Sequence, residues 1–183
     1  LTQRTCDFME TQARSGKPFF VQVSHYAVHL DIFYSEDSLK QTKRLAKGKK
    51  HTMPEFAAMT QDLDDGIGAV MDKIESLGLQ DNTYVFFLSD NGGPETKNGS
   101  DNGPLRGAKG DAWEGGYRVP YAVRWKGTLP AGTVYDHPVS SLDILATIVD
   151  LAEAPTDPKR PLDGVNLVPY LTGKKDGVPH DTI

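Results

Sequence analysis

The feature that most constrains this chain is an apolar stretch that ends abruptly in polar residues and glycines. Residues 83–89 contain the run Val-Phe-Phe-Leu, which predicts a buried strand, and residues 89–95 continue with Ser-Asp-Asn-Gly-Gly-Pro-Glu. In an open α/β sheet, ligands gather beyond the carboxyl ends of the strands. Asp90 and Asn91 are therefore expected to present oxygen atoms at the edge of a sheet.

A glycine-rich segment follows this predicted strand end. Residues 105–110 read Leu-Arg-Gly-Ala-Lys-Gly, and residues 114–120 read Glu-Gly-Gly-Tyr-Arg-Val-Pro. Lys109 stands between Gly107 and Gly110, whose small size lets an anion approach the backbone. An ammonium group there can neutralise a phosphate or sulfate oxygen. Together the two segments have the layout of a site for a hard cation and an oxyanion, and they predict part of an enzyme.

Size and composition restrict the class of protein. A chain of 183 residues can form one domain with a proper core. Its net charge of -5 argues against a nucleic-acid partner, and no apolar run approaches the roughly 20 residues of a membrane span. The one cysteine, Cys6, excludes an internal disulfide and a cysteine-rich zinc site. Because the sequence lacks an initiator Met and a signal-peptide pattern, we expect it to begin within a longer protein.

Hydrophobic periodicity predicts alternating helices and strands. The predicted elements are a helix at residues 2–15 stopped by Gly16, a strand at 19–24, a helix capped by Thr52 and ending near Gly78, strands at 83–89 and 119–125, and a helix at 138–152. Residues 31–51 show no clean period and are interpreted as an exposed excursion. A strand–helix–strand order implies a crossover connection. The sequence therefore predicts an α/β fold with a mostly parallel mixed sheet flanked by helices.

Asp90 and Asn91 are candidate metal ligands. Carboxylate and amide oxygens suit Ca²⁺ or Mg²⁺ rather than zinc, although Ca²⁺ takes six to eight oxygens and further ligands must come from elsewhere. Both side chains can reach one ion only if the backbone turns at Gly92 and Gly93. The same tetrapeptide is also typical of a simple turn after a strand.

Histidines after the strand at residues 19–24 are candidate proton donors. His29 should lie near the end of the strand that precedes Asp90, where an imidazole could protonate a departing oxygen. A structural role for His29 remains open, His25 is a weaker candidate, and Lys109 could instead be a solvated surface residue. The basic run from Lys43 to Lys50 fits either an acidic substrate or a solvated loop.

Taken together, several segments resemble the sulfatase family, of the arylsulfatase type, within the alkaline-phosphatase-like superfamily. The matching pieces occur in the family's order and cover nearly the whole chain, at residues 18–24 with His29, 63–68, 89–96, 105–110, 113–120 and 162–167.

The resemblance implies roles for the candidate residues. It matches Asp90 and Asn91 to the family's second pair of metal ligands, usually for Ca²⁺ with Mg²⁺ as an alternative. It matches Lys109 to the lysine that contacts the sulfate, and His29 to the histidine at the sulfate or leaving-group oxygen. The family pattern Pro-His-x-Pro around this histidine is replaced here by Val-His-Leu-Asp at residues 28–31.

Two family features are absent from the sequence. Sulfatases carry a Cys-x-Pro-x-Arg or Ser-x-Pro-x-Arg motif, whose first residue becomes the formylglycine nucleophile, and an early Asp pair that completes the metal shell. Cys6 lies outside any such motif and is interpreted as core packing. The chain therefore resembles the middle and later part of a sulfatase, with residues 1–153 as a partial, incomplete catalytic domain and 154–183 as a proline-rich tail leading toward a C-terminal subdomain.

The function expected from this resemblance is hydrolysis of sulfate esters by the parent protein. The expected partners are a sulfated small molecule or sulfated glycan and the N-terminal half of the same protein, which would supply the formylglycine. The parent is expected to be exported, and this chain alone to be inactive. Two alternatives stay open: a phosphate- or phosphonate-ester hydrolase of the same superfamily, and a non-catalytic relative that binds acidic glycans through Lys43 to Lys50.

Overall fold

The computed structural model of the chain describes residues 1–49 and 51–182. Its helices and strands are α1 (Thr2–Ser15), α2 (Glu36–Thr42), α3 (Pro54–Ser76), a 3₁₀ turn (Gln80–Asn82), β1 (Val85–Leu88), α4 (Glu114–Tyr117), β2 (Tyr121–Arg124), α5 (Leu142–Leu151) and α6 (Val168–Leu171). None of the helices in these described ranges has the length and apolar character needed to cross a bilayer.

The chain forms two compact units. The first comprises Leu1–Leu79 and Phe87–Tyr121, and the second Gln80–Phe86 and Ala122–Ile183. All four predicted site residues belong to the first unit. The predicted boundary at residue 153 between a catalytic domain and a tail remains a prediction.

Helices α1 and α3 form the core of the first unit. Met9 of α1 is buried, as are Ala58, Met59 and Ile74 of α3. Cys6 is also buried, with its Sγ 3.8 Å from the Ala69 carbonyl oxygen, which confirms the prediction that it packs in the core. Burial of such apolar side chains supplies most of the free energy that holds an amphipathic helix in place.

The predicted excursion at residues 31–51 is wrong in part, because it contains α2. Ser38, Leu39 and Thr42 of this helix are buried, and Thr42 Oγ1 donates to the Pro54 carbonyl oxygen over 3.0 Å. A seven-residue helix gives too few turns for a clear hydrophobic period, so tertiary contacts rather than pattern define it. The basic residues Lys43, Arg44, Lys47 and Lys49 are exposed, and Lys50 lies outside the described residues.

Strands β1 and β2 pair as a two-stranded antiparallel sheet. The predicted mostly parallel sheet is not seen in the described residues, because residues 19–24 form no strand and pair with none there. Along this segment, exposure alternates residue by residue, and the Phe20 side chain is 65% exposed. A segment becomes a β-strand only when a neighbouring strand accepts and donates its backbone hydrogen bonds. The sequence of one segment does not show whether such a neighbour is present.

The second unit is organised around a fully buried carboxylate on α5. Asp143 accepts hydrogen bonds from the backbone N–H groups of Ser140 (2.7 Å) and Val165 (2.9 Å) and from His180 Nε2 (2.8 Å). The bond from Ser140 closes a turn ahead of the helix. This is why α5 begins at Leu142 rather than at the predicted residue 138.

For α1 and α3, the predicted C-terminal ends agree with the structure. Helix α1 ends at Gly16, which adopts a left-handed conformation with φ 65°, as its position after the last apolar residue predicts. Helix α3 carries the predicted apolar face and has Pro54 in its first turn, but its N-cap is Met53 rather than Thr52.

Candidate active site

The turn after β1 is held by direct backbone packing. The Gly92 N–H donates to the Gly116 carbonyl oxygen over 2.9 Å, and a Cβ at Gly92 would lie only 1.7 Å from the Gly115 carbonyl oxygen. Only glycine fits there, because any side chain would overlap the facing backbone. The chain bends at Asp90 and Asn91, and this close contact holds the backbone directly after them.

The loop that carries Lys109 is tied to this turn. The Lys109 N–H donates to the Gly93 carbonyl oxygen over 3.1 Å, and the Gly115 N–H donates to the Arg106 carbonyl oxygen over 2.7 Å. Gly107 has φ +90°, a conformation that favours glycine and reverses the chain toward the turn. The position of the turn therefore determines the position of the Lys109 backbone.

The structure brings the side chains of His29 and Lys109 together. Lys109 Nζ lies 2.9 Å from His29 Nε2, although the two residues are 80 positions apart in the chain. His29 Nδ1 lies 2.7 Å from the Leu30 carbonyl oxygen, which can only accept, so Nδ1 carries the proton. In the neutral ring Nε2 is then an acceptor, and the lysine ammonium donates to it.

Further contacts hold the segment on which His29 lies. The His29 N–H donates to the Tyr26 carbonyl oxygen over 2.9 Å, and the two rings meet edge to face with centroids 5.4 Å apart. The neighbouring Val28 carbonyl oxygen accepts from Asn98 Nδ2 over 3.2 Å, and Asn98 is only 2% exposed. These contacts therefore hold the backbone segment that carries the His29 imidazole.

Asn102 is a site residue that the sequence analysis missed. Its Oδ1 accepts from the Gly93 N–H over 2.8 Å, and its Nδ2 donates to the carbonyl oxygens of Gly93 (3.0 Å) and Gly107 (3.1 Å). One amide thus bridges the Asp90–Asn91 turn and the lysine loop. In the sequence it stands in an Asp-Asn-Gly triplet, which predicts a turn and gives no signal of contacts with distant backbone.

Comparisons with known proteins fit this geometry. The Sulfatase family model matches residues 1–154. The chain belongs to the sulfatase family. Human steryl-sulfatase is 31% identical over 188 residues, which cover 99% of this chain and 30% of that protein. Mouse N-acetylgalactosamine-6-sulfatase is 31% identical over 173 residues, covering 93% of this chain and 32% of that protein.

A solved structure shows the same fold. Ps i-CgsB, crystallised in complex with k-i-k-neocarrahexaose, is 30% identical and superposes with a TM-score of 0.86 over 96% of this chain and 38% of that one. The predicted alkaline-phosphatase-like fold is confirmed at this level. The chain spans about a third of the length of the curated relatives it matches.

For a sulfatase, the question at the turn is whether Asp90 and Asn91 suit a divalent cation. The Asp90 carboxylate is exposed and has no hydrogen-bond or ion-pair partner in the described part of the chain. Asn91 Nδ2 donates to the Gly92 carbonyl oxygen over 3.0 Å, so its Oδ1 remains an available acceptor. Two hard oxygen donors fit Ca²⁺ or Mg²⁺. Residues 1–49 and 51–182 contain no cluster of three or more His, Cys, Asp or Glu that could hold a metal.

The weaker histidine candidate of this sulfatase chain lies in a different setting. His25 lines a cavity of about 230 Å³ together with Phe33, Met59 and Asp62. Burial, with a smaller contribution from the positive N-terminus, lowers the pKa of His25 below its usual range. Its contacts are those of a packed histidine beside α3, and the hydrogen bond to Lys109 belongs to His29 instead.

Proposed function

We propose that the polypeptide containing this chain hydrolyses sulfate esters, and that Asp90, Asn91, His29 and Lys109 bind and polarise the sulfate group. Family membership gives the class of reaction. The observation that supports the assignment of residues is the 2.9 Å contact between Lys109 Nζ and His29 Nε2, together with the hydrogen bond from the Lys109 N–H to the carbonyl of Gly93, two residues after Asn91.

The lysine is equipped to bind an oxyanion while it contacts the histidine. An ammonium group has three N–H donors, and the bond to His29 uses one of them. The other two are available for sulfate oxygens, where charge-assisted hydrogen bonds are strong. A fixed positive charge at the position where negative charge develops lowers the barrier more than the same charge would in water.

The histidine serves the departing oxygen. When the bond between sulfur and the ester oxygen breaks, that oxygen takes up electron density and needs a proton. The proton between Lys109 Nζ and His29 Nε2 lies where either nitrogen can present an N–H to it. The bond from Nδ1 to the Leu30 carbonyl keeps the ring in one orientation during this transfer.

Two groups beyond the side chains of this chain complete the proposal. A Ca²⁺ or Mg²⁺ ion bound by Asp90, Asn91 and residues outside the chain would offset the charge of the sulfate oxygens. A formylglycine in the preceding part of the polypeptide would supply the nucleophile.

The proposed substrate is a sulfated glycan or small molecule. One relative is named for a sulfated sugar, N-acetylgalactosamine-6-sulfatase, and one structural neighbour was crystallised with a carbohydrate, k-i-k-neocarrahexaose. Steryl-sulfatase, by its name, points to a sulfated small molecule. These names favour a sulfate ester as the reacting group for this chain. A substrate panel would identify the molecule that carries the ester.

The test is Lys109→Ala in the full-length polypeptide, assayed on aryl sulfates, sulfated oligosaccharides, and matched phosphate and phosphonate esters. We expect kcat/KM on the preferred sulfate ester to fall by about 10²–10³-fold, because a charge aimed at the transition state is lost. Lys126→Ala removes an exposed lysine of the second unit and serves as the control, with unchanged activity expected. Faster turnover of the phosphate or phosphonate esters, or full activity of Lys109→Ala, would overturn the proposal.

A further inference from the structure

We propose that Asn102 is a positioning residue that sets the distance between the Asp90–Asn91 turn and Lys109. The inference rests on the proposed function for its catalytic consequence. It rests on the hydrogen bonds of Asn102 itself for the structural one.

Every polar atom of the Asn102 side chain is engaged with backbone. The amide bonds to both backbone groups of Gly93, accepting from its N–H at 2.8 Å and donating to its carbonyl at 3.0 Å. The second hydrogen of Nδ2 reaches the Gly107 carbonyl at 3.1 Å. An amide is the one side-chain group that can accept and donate twice in a plane, so it satisfies three backbone groups at once.

The bonded backbone groups are those that place the reactive side chains. Gly93 follows the Asp90–Asn91 couple by two residues, and its carbonyl also accepts from the Lys109 N–H at 3.1 Å. Gly107 precedes Lys109 by two residues. Asn102 therefore joins the two loops through backbone groups that lie two residues from Asn91 and two residues from Lys109. Its side chain bonds to Gly93 and Gly107 rather than to these residues.

The clamp is itself held in place. The Asn102 N–H donates to Glu95 Oε1 over 3.1 Å, and the Glu95 N–H donates to Ser100 Oγ over 2.9 Å. A Cβ on Gly93 would lie 2.3 Å from Ser100 Oγ, so the loop packs tightly against the turn. Because these contacts hold the loop in place, no other side chain can take the position of the Asn102 amide. Loss of the amide should therefore loosen the junction of the two loops.

Such loosening should appear in the chemical step. A displacement of about 1 Å in a positioned group can lower a rate by about 10²-fold. We therefore expect kcat of Asn102→Ala on the preferred sulfate ester to fall by about 10–10²-fold, with a smaller change in KM. Amide hydrogen exchange of Gly93 and Lys109 should accelerate, because both N–H groups lie at the loosened junction.

Asn102→Asp separates positioning from simple loss of packing. The carboxylate keeps the shape of the amide and can accept from the Gly93 N–H, but it places negative charge beside two carbonyl oxygens that need donors. A protonated carboxyl can donate again. The kcat of this variant relative to the unaltered enzyme should therefore rise as the pH is lowered toward about 4, the range in which an aspartate takes up a proton.

Asn166→Ala is the matched control in the full-length polypeptide. Asn166 also uses both amide atoms, donating to Asp150 and accepting from the Val168 N–H at 2.9 Å, but it belongs to the second unit. We expect it to lower thermal stability and leave kcat, and exchange at Gly93 and Lys109, unchanged.

The outcomes separate this inference from the proposed function. Faster exchange at Gly93 and Lys109 in an Asn102→Ala protein whose unaltered form turns over no sulfate ester would support the clamp and overturn the function. Unchanged exchange at these amides would overturn the clamp. So would a kcat equal to that of the unaltered enzyme, or an Asn102→Asp variant whose relative kcat does not respond to pH.

Discussion

At the scale of single residues, the direction of the hydrogen bond between Lys109 and His29 decides what each nitrogen can do. The Leu30 carbonyl fixes the proton of His29 on Nδ1, so Nε2 faces the lysine as an acceptor. A proton bound at Nε2 would make the imidazole a donor for a leaving oxygen, while Lys109 keeps its positive charge for the sulfate oxygens. The pair is therefore suited to serve the leaving oxygen and the sulfate oxygens together.

This reasoning predicts a leaving-group effect for His29→Gln. Alkyl sulfates release a strongly basic oxygen that needs a proton, whereas activated aryl sulfates release a stable phenolate. We expect kcat of the variant to fall by about 10²–10⁴-fold for alkyl sulfates and much less for activated aryl sulfates. A series of sulfate esters of graded leaving-group pKa measures this. His25→Gln is the control, and an equal loss across the series for His29→Gln would assign it a structural role.

Residue identity could be predicted only where chemistry follows from a local pattern. Lys109 between glycines and Asp90-Asn91 after a strand are visible in sequence, and in the structure the Lys109 N–H donates to the carbonyl of Gly93, two residues after Asn91. Asn102 could not be predicted, because its role consists of bonds to Gly93 and Gly107 that form only when two loops pack together.

At the scale of elements, a carboxylate of α3 helps to hold the start of α2. Asp62 accepts from the Ser35 N–H (2.6 Å), Ser35 Oγ (2.8 Å) and Ser38 Oγ (2.6 Å), and Ser35 is the N-cap residue of α2, whose side chain accepts from the Ser38 N–H. Burial of the carboxyl acts to raise its pKa, but these hydrogen bonds outweigh burial and hold the pKa of Asp62 below its usual range. The sequence gives no sign of this role, because the position of Asp62 on its helix does not reveal a partner on another helix.

The lowered pKa gives α2 a defined pH dependence. A carboxyl whose folded-state pKa is depressed contributes stability above its unfolded-state pKa of about 3.9, and this contribution is lost as the pH falls through the folded-state value. We therefore expect amide-exchange protection in α2 to hold from neutral pH to about 4 and to fall below that.

Asp62→Asn should lower that protection by about tenfold at neutral pH, or about 1.4 kcal/mol, because hydrogen bonds to a charged group are lost, and should remove the fall of protection in acid. Asp64→Asn, at an exposed position two residues along α3, is the control. Protection that falls equally in both variants would contradict the role of Asp62 in holding the start of α2.

A helix could be predicted from the sequence where its hydrophobic period continues over many residues. The apolar face of α3 repeats over more than six turns and identifies the helix despite a misplaced cap. The aromatic and β-branched content of residues 19–24 predicts a strand, but the structure assigns them no strand and their exposure alternates. Pairing into a sheet depends on a second segment, so it cannot be predicted from the pattern of one.

At the scale of the whole molecule, this chain holds part of a site. In the proposed site, Asp90 and Asn91 would contribute two oxygen ligands, whereas Ca²⁺ takes six to eight. The Lys109–His29 pair provides positive charge and a proton, and the proposed nucleophile belongs to another part of the polypeptide. Binding and chemistry should therefore require more of the sulfatase than these 183 residues.

We expect the purified 183-residue chain to show no measurable hydrolysis of an aryl sulfate and only weak Ca²⁺ binding by calorimetry. Asp90→Ala should weaken that binding further, whereas Glu114→Ala, which removes an exposed carboxylate paired with Arg118, should not. Turnover that Lys109→Ala abolishes would place a nucleophile within this chain. Tight Ca²⁺ binding that survives Asp90→Ala would place the metal elsewhere.

The 80-residue separation between His29 and Lys109 has a consequence for biogenesis. During synthesis the imidazole emerges from the ribosome long before its ammonium partner, and the two nitrogens meet only after both loops have closed on each other. Recovery of catalytic activity in a refolding experiment would thus time the closure of long-range structure, and should lag behind any spectroscopic signal of helix formation.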